Sequence, residues 1–103
     1  MKGDTLIIEY NGGNLSGECL AFFYASWSSR CNLHDNALKR IEYENKGLKI
    51  LRINTSKYHI LKEKFTIKKI PTFILLNDDN IVSRVDGYTD QYSLCKWIKN
   101  YRS

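Results

Sequence analysis

The segment CLAFFYASWSSRC, residues 19–31, contains the change of pattern that decides the fold. Residues 19–24 are continuously apolar or aromatic, which predicts a strand covered on both faces. Beyond the turn that follows Trp27, residues suited to one buried face recur at helical spacing, namely Cys31, His34, Ala37, Leu38 and Ile41. We therefore predict a buried strand, then a turn, then a helix that begins near Ser29 and that Gly47 ends.

Further strands are indicated by short apolar runs between turn signals, at residues 5–10, 48–53, 70–76 and 81–85. The run at 48–53 contains two overlapping alternations, which leaves its register open. Residues 77–80, Asn-Asp-Asp-Asn, predict the turn of a hairpin between the last two strands.

Two helices complete the order of elements. A short one is marked by Tyr58, Leu61 and Phe65, and a last one, capped by Asp90, has an apolar stripe comprising Leu94, Trp97, Ile98 and Tyr101. The order is therefore β, β, α, β, α, β, β, α. It predicts an α/β fold, a three-layer α/β/α sandwich whose central mixed sheet ends in an antiparallel hairpin and a covering helix.

Composition and charge bound the function. The 103 residues predict one domain over residues 1–103. The net charge of +5 comes from scattered lysines, of which only Lys68-Lys69 and Lys62/Lys64 come close to clustering, so we predict no nucleic-acid partner. The N-terminal sequence MKGDTLIIEY has no secretory core or membrane span, so we expect a cytoplasmic protein and no membrane partner.

The three cysteines are too few and too oddly numbered for a disulfide framework, which fits a reducing compartment. Cys19 lies in a predicted buried strand and Cys95 flanks the stripe of the last helix, so both are interpreted as structural. Cys31 and His34 are three residues apart on one predicted helix face and could share an ion or act as thiol and base. The simpler alternative is a half-buried histidine in a first turn, and we predict no metal site.

Three landmarks, in this order and spacing, resemble the thioredoxin family. Trp27-Ser28-Ser29-Arg30-Cys31 stands where that family has Trp-Cys-Gly-Pro-Cys. Ile70-Pro71-Thr72-Phe73 looks like the family's Ile-Pro-Thr segment, whose proline follows a cis bond, and Gly87 matches its glycine before the final helix. The similarity runs from about Cys19 onward. Before it, residues 11–18 leave little room for the family's first helix, which we expect to be short or missing.

The resemblance implies a thiol/disulfide oxidoreductase without a cofactor, but Ser28 occupies the position of the attacking cysteine. A hydroxyl has no thiolate to attack a disulfide, so dithiol exchange through this motif is excluded and Cys31 remains the single site thiol. Ser28 is either a natural loss or an engineered Cys→Ser replacement. Implied partners are protein thiols or disulfides, with thioredoxin reductase or glutathione as electron source.

Other departures from the family lie around the motif. Phe22 falls where thioredoxins keep a buried carboxylate that relays protons, and a phenyl ring cannot relay a proton. Arg52, near the family's buried lysine, must therefore reach water or find another acceptor. Arg30 replaces the motif proline and, as a cation beside Cys31, should favour its thiolate. Two simpler interpretations stay open: Ser28 as a helix cap near Ser29, and Cys31 as a small buried hydrophobic residue under the first helical turn.

A second function does not need a thiol. In this family the cis-proline loop presents a backbone edge to an extended peptide, and the resemblance carries that role to Trp27, Ile70, Pro71, Thr72 and Tyr88. The alternative function is therefore a redox-inactive adaptor that binds a peptide segment in the groove of Trp27 and Ile70-Pro71. The simpler interpretation of Pro71 is that it starts a strand.

Overall fold

A computed structural model describes residues 7–27 and 34–102. Its elements follow the predicted order: β1 Ile7–Glu9, β2 Glu18–Tyr24, α1 Asp35–Glu44, β3 Lys49–Asn54, α2 His59–Lys64, β4 Thr72–Asn77, β5 Asn80–Asp86 and α3 Gln91–Tyr101. The predicted start of the first long helix at Ser29 lies outside the described residues. In the described part, α1 follows His34 at its N-cap and ends before Gly47.

The five strands form one mixed sheet in the order β1-β3-β2-β4-β5. Strand β3 runs parallel to both β1 and β2. Strand β4 runs antiparallel to β2, and β5 returns antiparallel to β4 through a turn in which Asp78 and Asp79 have positive φ. The predicted central mixed sheet with a C-terminal hairpin is confirmed.

The sheet is covered on both faces. One face packs against α1 and α3, through Leu38 and Ile41 of the first and Leu94 and Ile98 of the second. The other face packs against the segment around α2 and against the loop before β2, whose buried residues are Phe65, Ile67 and Leu15. These two layers and the sheet make the expected α/β/α sandwich.

The structure shows where each of the two alternations in residues 48–53 is buried. Leu48 and Ile50 lie in the core cluster beneath α1 and α3. Leu51 and Ile53 lie in the cluster on the opposite face. Both alternations are correct because the strand sits between two parallel neighbours with both of its faces buried.

The segment between β1 and β2 contains no helix, as expected from its length. Tyr10 donates a hydrogen bond from its hydroxyl to the Gly13 carbonyl at 2.6 Å, and its ring contacts Tyr58 edge to face. Leu15 is buried in the core beneath. A short loop anchored by Tyr10 and Leu15 therefore replaces the first helix.

The predicted stripe of α3 is only partly correct. Leu94 and Ile98 are fully buried, and Trp97 is partly buried with its indole N–H bound to Ser83 Oγ at 2.9 Å. Tyr101 is 52% exposed. It is the last residue of the helix, so helical spacing alone overestimates how far the buried face extends at a terminus. No helix in residues 7–27 and 34–102 is long and apolar enough to cross a membrane.

Candidate functional site

The topology brings three connections together at one edge of the sheet. Parallel strands β2 and β3 end there, and antiparallel β4 begins there. Phe23 pairs with Thr72, so the register places Pro71 beside Tyr24, three residues before Trp27. The carboxyl ends of parallel strands are the usual location of binding sites in α/β sheets.

The loop before β4 is held from within. The Ile70–Pro71 peptide bond is cis, and Pro71 is buried. Its carbonyl accepts a hydrogen bond from Gly87 N–H at 2.7 Å, which ties the loop to the end of β5. Thr72 is fully buried, and its hydroxyl donates to the Lys69 carbonyl at 2.7 Å. The buried side chain of Thr72 therefore holds the loop in place through this hydrogen bond and does not lie on the loop's surface.

The outer surface of this edge is apolar and exposed. Trp27 is 76% exposed and Tyr88 is 50% exposed, whereas Ile70 is partly buried. The backbone N–H and C=O of Ile70 make no hydrogen bond to another described residue. A large exposed aromatic side chain and the backbone of Ile70, which has no partner in the part of the chain that the structure describes, thus occur at the same edge of the sheet.

His34 lies beneath this surface and is buried to 1% exposure, deeper than the half-buried position expected. Its ring is 4.9 Å from the Phe73 ring and 5.1 Å from the Tyr88 ring, centroid to centroid. Nε2 lies 2.9 Å from the Thr89 carbonyl. Because a carbonyl only accepts, Nε2 carries the proton, and in the neutral ring Nδ1 is an acceptor. Nδ1 has no hydrogen-bond partner among the described residues.

Phe22 forms an apolar floor under the site. It is fully buried and stacks on Phe73 with ring centroids 5.1 Å apart. No carboxylate occupies this position of the strand, so the described site has no buried acid at the place where the resemblance implies one.

Arg52 finds two acceptors in place of a buried acid. Its guanidinium lies 3.3 Å from Glu9 Oε1 and 3.0 Å from Asp35 Oδ1, and it stacks over the Tyr24 ring at 4.7 Å. Burial acts to lower the pKa of Arg52, but its hydrogen bond to Tyr24 and the two carboxylates outweigh burial and raise it. Burial first, and the hydrogen bond to Glu9 second, raise the pKa of Tyr24.

Sequence reasoning missed the partners of Arg52. Glu9 is its direct neighbour in the parallel register of β1 and β3, so a prediction of that pairing would have found it. Asp35 comes from the first turn of α1 and carries no local signal. Thr89, which binds His34, was missed because backbone carbonyls have no sequence signature.

Ser28, Ser29, Arg30 and Cys31 lie outside the described residues. Across residues 7–27 and 34–102, no group of three or more His, Cys, Asp and Glu side chains could hold a metal ion. Cys19 is fully buried and Cys95 partly buried, and both are free thiols.

Comparisons with known proteins match this architecture. The family model described as Thioredoxin matches residues 13–100. "Thioredoxin 2" of Plasmodium falciparum (isolate 3D7) is 27% identical over 93 residues, which cover 88% of this chain and 59% of that protein. "Thioredoxin Y2, chloroplastic" of Arabidopsis thaliana is 33% identical over 82 residues, covering 79% and 49%. The chain thus spans about half to three fifths of the length of these two relatives.

A solved structure extends the comparison over the whole chain. Thioredoxin NaTrxh from Nicotiana alata superimposes with a TM-score of 0.82 at 18% identity, covering 100% of this chain and 98% of that one. At this identity the likeness concerns the fold. It agrees with the five-stranded mixed sheet and the three helices.

Proposed function

Because this chain belongs to the thioredoxin family, we propose that it is a thiol/disulfide oxidoreductase-family protein that holds an extended polypeptide against a single site thiol, Cys31. Ser28 takes the position of the attacking cysteine, so the site captures a partner without completing dithiol exchange. The observation that carries this proposal is the backbone of Ile70, which has no hydrogen-bond partner within residues 7–27 and 34–102, next to a buried cis proline and at the edge of the sheet where Trp27 is exposed.

Polypeptide binding uses backbone and apolar contacts together. An extended segment can pair its main chain with Ile70 N–H and C=O, as a strand is added to a sheet. Trp27 and Tyr88 supply exposed aromatic area beside that edge. Aromatic side chains of this kind dominate the energetics of many interfaces. Pro71 and Thr72 contribute by fixing the loop, through the bonds from Gly87 and to Lys69.

The proposed thiol chemistry uses a single sulfur, that of Cys31. The Cys31 thiolate attacks one sulfur of a partner disulfide, a Cys31–partner S–S bond forms, and the original S–S bond breaks to release the other sulfur as a thiolate that takes up a proton. With Ser28 in the first position, no neighbouring thiol resolves the mixed disulfide. An external thiol, such as glutathione, must release the partner.

Restoring the missing sulfur tests this proposal. We expect Ser28→Cys to reduce insulin disulfides catalytically with a small dithiol as electron donor, and the unmodified chain and Ser28→Ala not to do so. Adding Cys31→Ser to Ser28→Cys should abolish turnover. Catalytic reduction by the unmodified chain would contradict the proposal.

One observation favours the adaptor alternative: an apolar side chain, Phe22, occupies the buried position under the site. Phe22 is fully buried and offers no group for proton transfer, and Arg52 is engaged by Glu9 and Asp35. A site that has lost its proton relay can still bind. If Ser28→Cys gives no reductase activity while peptide binding persists and depends on Trp27, the adaptor function is the correct one.

The family membership suggests the partners, whereas the cysteine content and the length of the chain suggest the compartment and the single domain. We propose protein thiols or disulfides as partners, thioredoxin reductase or glutathione as electron source, one domain over residues 1–103, and the cytoplasm as compartment. Free Cys19 and Cys95 support a reducing compartment. Fractionation of cells that express the full-length protein, with compartment markers, tests the location, and accumulation in an organelle fraction would contradict it.

A further inference from the structure

Three exposed lysines lie in the segment that precedes the cis-proline loop. Lys62, Lys68 and Lys69 make no ion pair or side-chain hydrogen bond to another described residue. By contrast, Lys64 of the same helix as Lys62 lies 2.9 Å from Asp79 Oδ2. Of the four lysines noted in the sequence, Lys64 is therefore paired, and the other three have no partner among the described residues.

Two of these lysines adjoin the proposed binding edge, and the third lies beside one of them. Lys68 and Lys69 immediately precede Ile70. The Lys69 side chain lies along Gly87, with Cδ 3.8 Å from where a Cβ of that residue would stand, and so lies next to the residue before Tyr88. Lys68 and Lys62 line a shallow depression of about 360 Å³, together with His59, Glu63, Thr66 and Ile67.

The local carboxylates do not neutralise this rim. Asp86 is engaged by Arg84 at 2.9 Å, whereas Asp90 keeps its negative charge while it accepts the Ser93 N–H at 2.8 Å. Glu63 is the one carboxylate that lines the depression. The three lysines outnumber the two carboxylates that have no cationic partner among the described residues, Glu63 and Asp90, which leaves a net positive surface beside the backbone of Ile70.

We propose that this basic rim, formed by Lys62, Lys68 and Lys69, selects polypeptide segments that carry acidic side chains next to the part that pairs with Ile70. The inference rests on the proposed polypeptide-binding function and adds the chemical class of the partner. A polypeptide is favoured over a nucleic acid because the rim borders a backbone edge that pairs with amide groups. Charge complementarity of this kind raises the association rate and rejects like-charged partners.

The expected size of the effect is modest for each lysine. An exposed ion pair changes a dissociation constant by about two- to fivefold, and its contribution falls as salt rises. Reversing two of the charges should therefore weaken binding of an acidic segment by about tenfold. Because the charges are exposed, the affinity should also fall as the Debye length shortens from about 10 Å to about 3 Å.

Two synthetic peptides provide the test: an extended peptide with glutamate at alternate positions and the same peptide with glutamine. We expect the unmodified chain to bind the glutamate peptide more tightly, and Lys68→Glu with Lys69→Glu to abolish that preference. The matched control, Lys39→Glu with Lys99→Glu, changes the net charge equally on α1 and α3 and should keep it. Titration calorimetry at several salt concentrations measures both effects.

Several results would overturn the inference. Equal affinity of the two peptides for the unmodified chain would do so, as would an equal effect of the control pair, which would mean that only the net charge matters. Binding of a single-stranded oligonucleotide through the same lysines, without a peptide preference, would assign the rim to nucleic acid. Equal binding that still depends on Trp27 would leave the proposed function intact, whereas binding of neither peptide would overturn both.

Discussion

His34 donates its Nε2 proton to the Thr89 carbonyl at 2.9 Å and so ties the start of α1 to the loop before α3. The two residues are 55 positions apart in the chain, and the imidazole between them is buried among aromatic rings. This bond fixes the position of Tyr88, the neighbour of Thr89, relative to the start of α1.

Replacing His34 tests how much the hydrogen bond to Thr89 contributes to the free energy of unfolding. His34→Leu keeps most of the apolar volume but leaves the Thr89 carbonyl without its donor, so we expect a loss of about 1–3 kcal/mol in the free energy of unfolding. The control is His59→Leu on the exposed face of α2, expected to change stability by less than about 0.5 kcal/mol. Urea unfolding measures both, and equal losses would show that the bond is unimportant.

Arg52 is predicted to stabilise the fold through its guanidinium geometry and not its charge alone. Its side chain is 26% exposed and contacts two carboxylates and the Tyr24 ring. We expect Arg52→Met to lower the free energy of unfolding by about 1 kcal/mol, after allowance for screening by solvent.

The matched comparison for Arg52 is its substitution by lysine. Arg52→Lys keeps the charge but loses the planar fork that reaches Glu9 and Asp35 together, so it should recover only part of the stability. Full recovery would mean that the charge alone accounts for the effect. Chemical denaturation of the three proteins in parallel decides between these outcomes.

Cys19 predicts a loss of stability at alkaline pH. Burial, outweighing the nearby Lys49, raises the pKa of this thiol above its ordinary value. A group with a raised folded pKa stabilises the folded state below its unfolded pKa, and that contribution disappears as the pH rises through the folded pKa. We therefore expect the free energy of unfolding to decline from about pH 8.5 upward.

A pair of cysteine variants separates this effect from other titrations. Cys19→Ala should reduce the decline measured by urea unfolding below about pH 10, where Tyr24 does not yet titrate. Cys95→Ala should reduce it less, because that thiol is only partly buried. An unchanged decline in Cys19→Ala would show that another group is responsible.

Asp90 predicts the opposite dependence on pH at the start of α3. Its carboxylate accepts the Ser93 N–H at 2.8 Å, and hydrogen bonds from Ser93 lower its pKa. A lowered folded pKa contributes stability above the unfolded pKa and loses it as the pH falls through the folded pKa. Asp90→Ala should be less stable than the unmodified chain at pH 7, and the difference should shrink below about pH 4.

Asp90→Asn is the control for the cap itself. An asparagine side chain also accepts the N-cap hydrogen bond but does not titrate. It should retain most of the stability at neutral pH and show a flatter acid profile when thermal unfolding is followed by circular dichroism. A profile identical to that of the unmodified chain would exclude Asp90 as the titrating group.

The sequence predicted the fold because each element carries a local signal that agrees with the others. The continuous apolar run of β2 and the double alternation of β3 both result from strands covered on two faces. The Asn-Asp-Asp-Asn turn and the Asp90 cap are specified by neighbouring residues. The burial of Tyr101 was predicted incorrectly, because periodicity does not show where a helix extends beyond the core.

The site was less accessible to prediction because its interactions are not local. Arg52 reaches Glu9 on the neighbouring strand, which only the parallel register of β1 and β3 reveals, and it reaches Asp35 in the first turn of α1, which no local signal indicates. His34 is buried by rings from β4 and from the loop after β5, so its depth could not be judged from its own helix. Such contacts depend on the packing of elements distant in sequence.

The most direct test of the proposed polypeptide-binding function is to measure peptide binding at the edge of the sheet formed by Trp27 and Ile70. Titration calorimetry with an extended peptide should give saturable binding to the unmodified chain, loss of binding to Trp27→Ala, and unchanged binding to Tyr43→Ala, which removes a similarly exposed aromatic side chain from α1. Equal binding by both variants would contradict the claim that the edge formed by Trp27 and Ile70 holds an extended polypeptide.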